Sequence, residues 1–282
     1  MIYLEKMQSC TVCPRNCKVD RSTATGYCRS GTELMISSWN KHYGEEKVFS
    51  GTRGSGTIFF TNCNLHCVFC QNYDISQYGH GSRCSINELV EIMLTLQQAR
   101  AHNINLVTPT HFTPQIRSAL ALARKQGLTI PVLWNSNAYE KKETLADLEG
   151  LVDIYMPDCK YSLTESAETY SEAPDYFCIA QAAIREMFRQ VGHLQLDDTG
   201  IASRGILIRL LLLPNDLDGL ENILVWIRDN LGLETWINLM SQYYPAFRAA
   251  EFPGLERRLL NEEYARAKKT VRKMGFMNAL FQ

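Results

Sequence analysis

The stretch Thr57-Ile-Phe-Phe-Thr-Asn-Cys63-Asn-Leu-His-Cys67-Val-Phe-Cys70-Gln-Asn-Tyr-Asp74 constrains this chain most. It opens on β-branched and aromatic residues that suit a buried strand. Three cysteines follow in a loop, spaced C-x3-C-x2-C. Three thiolates on so short a run can converge on one metal centre, one short of the four that usually close a [4Fe–4S] cluster. A structural zinc site normally takes four ligands, and with three it prefers a histidine or carboxylate among them. A three-cysteine loop at the C-terminal end of a strand therefore leaves one iron open to a non-protein ligand. That end of a parallel sheet is where α/β folds place their ligands. A zinc knuckle is the competing reading of the same residues.

The chain has 282 residues, enough for one large α/β domain or two small ones. A formal charge of −1 provides no field for nucleic acid or an anionic membrane, so neither is an expected partner. The strongest apolar run, Ile206–Leu213, is broken by Arg209 and has the length of a strand, not of a membrane span. No basic-then-apolar leader opens the sequence. Ten cysteines without an export signal point to metal binding over disulfides and to a reducing cytoplasm.

Four of those cysteines, Cys10, Cys13, Cys17 and Cys28, fall within nineteen positions of little hydrophobic periodicity. A segment like this buries too little apolar surface to order itself and reads as a small metal-ordered lobe. Four thiolates fit zinc or a second [4Fe–4S] cluster; a structural site, zinc first, is the expectation here. Ser37–Gly56 reads as a connecting hairpin or irregular lid, with Glu45-Glu46 as a solvated pair.

Beyond the cysteine loop the sequence alternates. Ser85 is placed to cap a helix over Ile86–Ala101, with Glu88 as its capping-box partner. A strand over Asn105–Thr108 meets Pro109, which biases Thr108 towards extended backbone. A helix follows over Pro114–Gln126, then a strand over Ile130–Trp134, a helix over Lys141–Leu148 and a strand over Val152–Met156. Asp175–Val191 reads as a helix, Gly205–Leu213 as a strand, Leu217–Asn230 as a helix and Thr235–Met240 as a strand. Asn261 is placed to cap a last helix. Six strands alternating with helices predict a parallel sheet. Six units fall short of the eight that close a full barrel, so the fold class is α/β, an open partial (β/α)6 barrel. The expected organisation is a Cys-rich lobe and connector at 1–50, the barrel at 51–245 and a helical extension at 246–282.

Polar residues recur where the strands end: Thr108-Pro109-Thr110-His111, Asn135-Ser136-Asn137, Asp158-Cys159-Lys160, and Asn238, Gln242 and Tyr243. Each alone would be an ordinary cap or surface group. Arg209 stands apart, because an arginine within an apolar strand needs a buried partner. Cys159 is a weaker candidate for a functional thiol. Cys84 and Cys178 read as bystanders.

The cysteine spacing, with Phe69 before the last cysteine, resembles the signature of the radical S-adenosylmethionine (SAM) enzymes. Further stretches, Gly56-Thr-Ile-Phe-Phe60, Cys70-Gln-Asn72, Asn103–Pro109 and Asp153–Asp158, resemble one branch of that family. This branch is the pyruvate formate-lyase activating enzymes and their relatives, nearest to the sub-branch labelled PflX. The resemblance implies a partial barrel and a [4Fe–4S] cluster on Cys63, Cys67 and Cys70. It also implies SAM on the fourth iron and an electron donor of flavodoxin or ferredoxin type. It places Phe69 near the adenine, Lys160 at the SAM carboxylate, Met156 and Asp158 beside the methionine end, and Arg209 near SAM. Asn135, Ser136 and Asn137 occupy the family's Asp-Thr-Asn turn. Thr108-Pro-Thr-His111 replaces the usual Gly-Gly-Glu-type turn, with Thr108 and Thr110 still able to offer carbonyls and hydroxyls to SAM. Asn135 stands for an aspartate and Tyr243 for a histidine. These departures bear on glycyl-radical activation more than on SAM cleavage.

Two functions follow from different classes. One is an enzyme that cleaves SAM reductively and abstracts hydrogen from a glycine of a partner protein, another peptide or a small molecule. The other is an iron–sulfur or zinc protein that carries electrons without turnover.

Overall fold

The structure is a computed structural model describing residues 6–282. Its strands are β1 (Leu34–His42), β2 (Ser55–Phe60), β3 (Ser82–Cys84), β4 (Ile104–Val107), β5 (Val132–Ser136), β6 (Ile154–Pro157), β7 (Gln195–Leu196), β8 (Ala202–Leu211), β9 (Trp236–Met240) and β10 (Ala279–Phe281). The main sheet runs β10-β9-β8-β6-β5-β4-β2-β1-β3. From β2 to β10 every neighbouring pair is parallel, while β1 and β3 join antiparallel at one edge. The six strands expected from the sequence are β2, β4, β5, β6, β8 and β9, consecutive in that sheet. The result is a partial (β/α)6 barrel preceded by a Cys-rich segment.

The helices are α1 (Lys47–Ser50), α2 (Tyr73–Ser76), α3 (Ile86–Gln98), α4 (Thr113–Lys125), α5 (Lys142–Ala146), α6 (Thr164–Ser171), α7 (Tyr176–Val191), α8 (Leu220–Leu231) and α9 (Asn261–Met274). Helix α3 starts where the sequence places it: the Glu88 N–H donates to Ser85 Oγ at 3.2 Å and the Ser85 N–H to Glu88 Oε2 at 2.7 Å. Asn261 is not a cap but the first helical residue of α9; the Leu260 N–H is satisfied by Glu263 Oε2 at 2.8 Å. Helix α6 lies in a stretch the sequence left unassigned, and the extension expected to be helical ends in strand β10, paired parallel with β9. No helix among the described residues is long and apolar enough to cross a membrane.

The strands alternate as parallel strands with two covered faces must. Val132, Trp134, Tyr155, Ile206 and Ile208 pack outward under the helices. Leu133, Ile154, Met156 and Leu207 point into the barrel and pack with Phe49 of α1, which is fully buried. The expected lid around α1 is therefore a plug. Asn103 Nδ2 holds the Phe49 carbonyl at 2.9 Å, fixing α1 against the start of β4.

One layer above this apolar floor the inward positions turn polar. Arg209 donates from Nε to Glu46 Oε1 at 2.9 Å and from Nη2 to Glu46 Oε2 at 2.7 Å, and also pairs with Glu45. Asn238 donates to Glu46 Oε1 at 2.6 Å and Asn105 to Glu45 Oε1 at 3.1 Å. Glu45-Glu46 is thus not a solvated pair: Glu46 is 1% exposed. A buried guanidinium needs counter-charge, and the plug supplies it from the segment before α1.

Candidate metal centre at the mouth of the barrel

Above the Arg209 layer opens a cavity of about 380 Å³ at the C-terminal ends of the parallel strands. Cys63, Cys67 and Cys70 all line it, together with Thr108, Asn135, Ser136, Asn137, Asp158, Lys160 and Arg209. The loop after β2, the turns after β4, β5 and β6, and the inward side of β8 thus bring ten of the expected site residues to one space.

Each sulfur of the triad has a nearby polar partner. Asn137 Nδ2 and the Leu65 N–H donate to Cys63 Sγ, both at 3.4 Å. Ser171 Oγ, at the end of α6, donates to Cys67 Sγ at 3.0 Å. Ser76 Oγ lies 3.1 Å from Cys70 Sγ. Such donors orient a metal-bound thiolate and tune the centre it holds. Sequence reasoning missed Ser76 and Ser171, because neither is near its cysteine in a recognisable motif. The loop is clamped elsewhere by Asn64, whose Nδ2 holds the Tyr139 carbonyl at 2.7 Å and whose Oδ1 accepts from Asn137 at 2.8 Å.

Burial, and then the neighbouring Cys67, pushes the Cys63 thiol up to about 12. Burial also raises Cys67, against the pull of Lys160. The protonated thiols are therefore favoured until a cation takes their place, so metal loading releases protons. Lys160 Nζ donates to Asp158 Oδ2 at 2.6 Å. Burial alone would lower Lys160, but Asp158, Cys67 and the hydrogen bond to Asp158 outweigh it, so its ammonium is held. The arrangement suits three thiolates and an anionic ligand: a cation lies beside the sulfurs, oriented by a carboxylate.

Several expected positions fall outside this cavity. Met156 faces into the barrel but is buried in the apolar layer with Phe49, below the cavity. The Phe69 ring is buried edge-on between Tyr161 and Tyr243, with centroids 6.2 and 5.9 Å away. Thr110 is 1% exposed, and its hydroxyl donates to Glu140 Oε1 at 3.0 Å. Glu140, unread in the sequence, also accepts from Trp134 Nε1 and Ser136 Oγ, so it braces the turn after β5 from behind. Cys159 points away; it is buried, and burial raises its thiol. Tyr243 hydrogen-bonds the Leu255 carbonyl at 2.6 Å. Arg209 does line the cavity, but its guanidinium is committed to Glu45 and Glu46.

Thr108 is not extended. Its φ is 59°, a left-handed conformation that a β-branched residue rarely adopts, although Pro109 follows. The Thr108 N–H donates to the Asn135 carbonyl at 2.9 Å, which ties the β4 turn to the β5 turn at the cavity rim.

The N-terminal cysteines gather in a lobe where Cys10, Cys13 and Cys28 are buried and Cys17 half-buried. Among the described residues no three His, Cys, Asp or Glu side chains stand close enough to hold a single metal ion. This holds for the lobe and for the Cys63 triad alike.

Residues 50–169 match the family described as a 4Fe-4S single cluster domain. The chain is 35% identical over 274 residues to the uncharacterized protein MJ0674 of Methanocaldococcus jannaschii, covering 94% of this chain and 75% of that one. Among solved structures, methylornithine synthase (PylB) superposes with a TM-score of 0.54 at 16% identity, covering 78% of this chain and 61% of that one. HydG, a maturase of the [FeFe]-hydrogenase, gives 0.54 at 11% identity, over 78% of this chain and 49% of that one. The chain belongs to the same family as MJ0674. The two solved structures share its fold, and the chain spans less than two thirds of either. Three cysteines beside an ammonium form a donor set that fits the iron–sulfur cluster of the matched family description and an anionic ligand beside it.

Proposed function

We propose that Cys63, Cys67 and Cys70 hold a [4Fe–4S] cluster whose fourth iron is left to SAM, and that the enzyme removes a hydrogen atom from a substrate admitted at the barrel mouth. The observation that carries this reading is the convergence of all three loop cysteines with Lys160 and Asp158 on one cavity. When bound, the cluster and SAM supply one electron and a 5′-deoxyadenosyl radical. The protein's part is binding, orientation and exclusion of water.

In this reading Lys160, its proton held by Asp158, meets the carboxylate of SAM. The Thr108, Asn135 and Ser136 turns present backbone and side-chain polar groups to the amino group and ribose. Asp158 and Asn137 bound the same space, Asn137 also donating to Cys63 Sγ. Phe69, with its ring buried between two tyrosines, acts through the backbone position of its loop and not through its ring. Glu45, Glu46 and Arg209 form a rigid polar floor that keeps bulk water from entering beneath the site. The hydrogen donor is a glycine of a partner enzyme in the reading closest to the activating-enzyme resemblance. A different peptide or a small molecule is the alternative, and reduced flavodoxin or ferredoxin is the class of electron donor.

The test is the electron paramagnetic resonance (EPR) spectrum of the anaerobic, dithionite-reduced enzyme before and after SAM. A SAM-dependent change in the cluster signal supports an open iron that SAM ligates. A spectrum indifferent to saturating SAM would favour an electron carrier without turnover.

A further inference from the structure

The N-terminal lobe sits directly on the loop that carries Cys63, Cys67 and Cys70, and a pair of rings joins the two. Tyr27, next in sequence to Cys28, stacks on His66, next to Cys67, with centroids 4.2 Å apart and planes 17° from parallel. The Tyr27 N–H donates to Cys17 Sγ at 3.2 Å. Arg15, between Cys13 and Cys17, lies 3.9 Å from the Tyr27 ring centroid. It donates to the Asn64 carbonyl at 2.9 Å and the Ser171 carbonyl at 3.1 Å. Ser171 is the residue whose hydroxyl meets Cys67. The Tyr27–His66 stack and the two Arg15 hydrogen bonds cross from the lobe to residues beside the triad cysteines, while the Tyr27–Cys17 and Arg15–Tyr27 contacts hold the lobe side of that junction together.

The four lobe cysteines are free thiols drawn together by the backbone. The Lys18 N–H donates to the Cys10 carbonyl and the Cys10 N–H to the Val19 carbonyl, both at 2.9 Å, which brings Cys10 alongside Cys17. Cys10, Cys17 and Cys28 all lie within electrostatic reach of Cys13. A Cβ at Gly26 would come within 3.3 Å of Cys17 Sγ, so the turn leaves its free space to the sulfur. A tetrahedral zinc ion would need these sulfurs about 3.8 Å apart, from a Zn–S bond of about 2.3 Å. No three of them stand close enough to share one ion. In a four-iron cluster each thiolate binds a different iron, so the sulfurs stand farther apart.

We propose that Cys10, Cys13, Cys17 and Cys28 hold a second [4Fe–4S] cluster, and that this lobe is where electrons enter, passing through the Tyr27–His66 stack to the centre at Cys63, Cys67 and Cys70. The relay, though not the lobe cluster, rests on the function proposed for that centre. A reduced donor of the ferredoxin or flavodoxin class gives up one electron and the lobe cluster goes from 2+ to 1+. It returns to 2+ when the second centre takes that electron, and no bond or proton changes hands.

Full-length protein reconstituted anaerobically with iron and sulfide should hold about eight irons per chain. The Cys63→Ala/Cys67→Ala/Cys70→Ala variant should keep about four of them, with a reducible cluster signal in its EPR spectrum. Because this variant reports the lobe alone, it separates failure of the lobe cluster from failure of the proposed function. Zinc without iron in that variant, or neither metal, would overturn the lobe cluster. Tyr27→Leu keeps all seven cysteines. With its full iron content confirmed, it should slow reduction of the second centre by reduced ferredoxin at least tenfold in stopped flow, while dithionite reaches the same end point. An unchanged rate would overturn the relay.

Discussion

Arg209 and Glu46 are joined by two hydrogen bonds, at 2.9 and 2.7 Å, although 163 residues separate them. The pair closes the inside of the barrel just below the cavity that holds Cys63, Cys67 and Cys70. Burial alone would raise the Glu46 carboxyl, but Arg209 and then Asn238 outweigh it and hold it below its ordinary value. Its contribution to stability is therefore fully present above the unfolded carboxyl range and is lost as pH falls through the depressed folded value.

Glu46→Ala leaves a buried guanidinium with half of its counter-charge. Breaking one side of such a pair costs about 3–5 kcal/mol, so the chemical denaturation midpoint should drop sharply at neutral pH. A loss under about 1 kcal/mol would mean that Glu45 and solvent satisfy Arg209 unaided.

Lys160→Ala should weaken SAM binding and leave the iron content unchanged. A hydrogen bond between charged groups contributes roughly 1.5–3 kcal/mol, which corresponds to a rise of about tenfold or more in the SAM dissociation constant. An unchanged SAM titration, at unchanged iron, would show that Lys160 serves only Asp158.

Asp218 supplies a pH dependence outside the cavity that Cys63, Cys67 and Cys70 line. Its Oδ2 accepts the Leu213 N–H at 2.6 Å, while Oδ1 is buried without a partner. Burial pushes this carboxyl up from 3.8 to about 7. The folded chain therefore retains a proton that the unfolded chain has lost. Stability falls as pH climbs from about 4 to about 7, and is flat above that. Asp218→Asn should remove this slope. Unfolding curves at pH 5.5 and 8 check it, and parallel slopes in both proteins would show that Asp218 is already ionised in the fold.

The strands were legible because they are short apolar runs stopped by polar residues or proline, and the triad was legible because its three cysteines fall in one loop. Sequence periodicity gives the inward or outward side of a strand but not the height of a residue in the barrel. Met156 and Asp158 face the same way; one lies in the apolar layer and the other in the cavity. Glu45-Glu46 looked solvated because its partner Arg209 comes from the far side of the sheet. Thr108 was misread because the local effect of Pro109 yields to the hydrogen bond that ties it to Asn135. Ser171 escaped notice because α6 is largely polar and lacks a strong apolar stripe.

The central claim is that the cavity at Cys63, Cys67 and Cys70 cleaves SAM, and the most direct measurement is 5′-deoxyadenosine formed anaerobically from SAM and dithionite. The reconstituted wild-type protein should release it together with methionine. Cys63→Ala, Cys67→Ala and Cys70→Ala should each reduce the yield to the level of a no-enzyme control, because three ligands leave none to substitute. Wild-type yields from any one of these variants, or no 5′-deoxyadenosine from wild-type protein with its iron in place, would contradict the account.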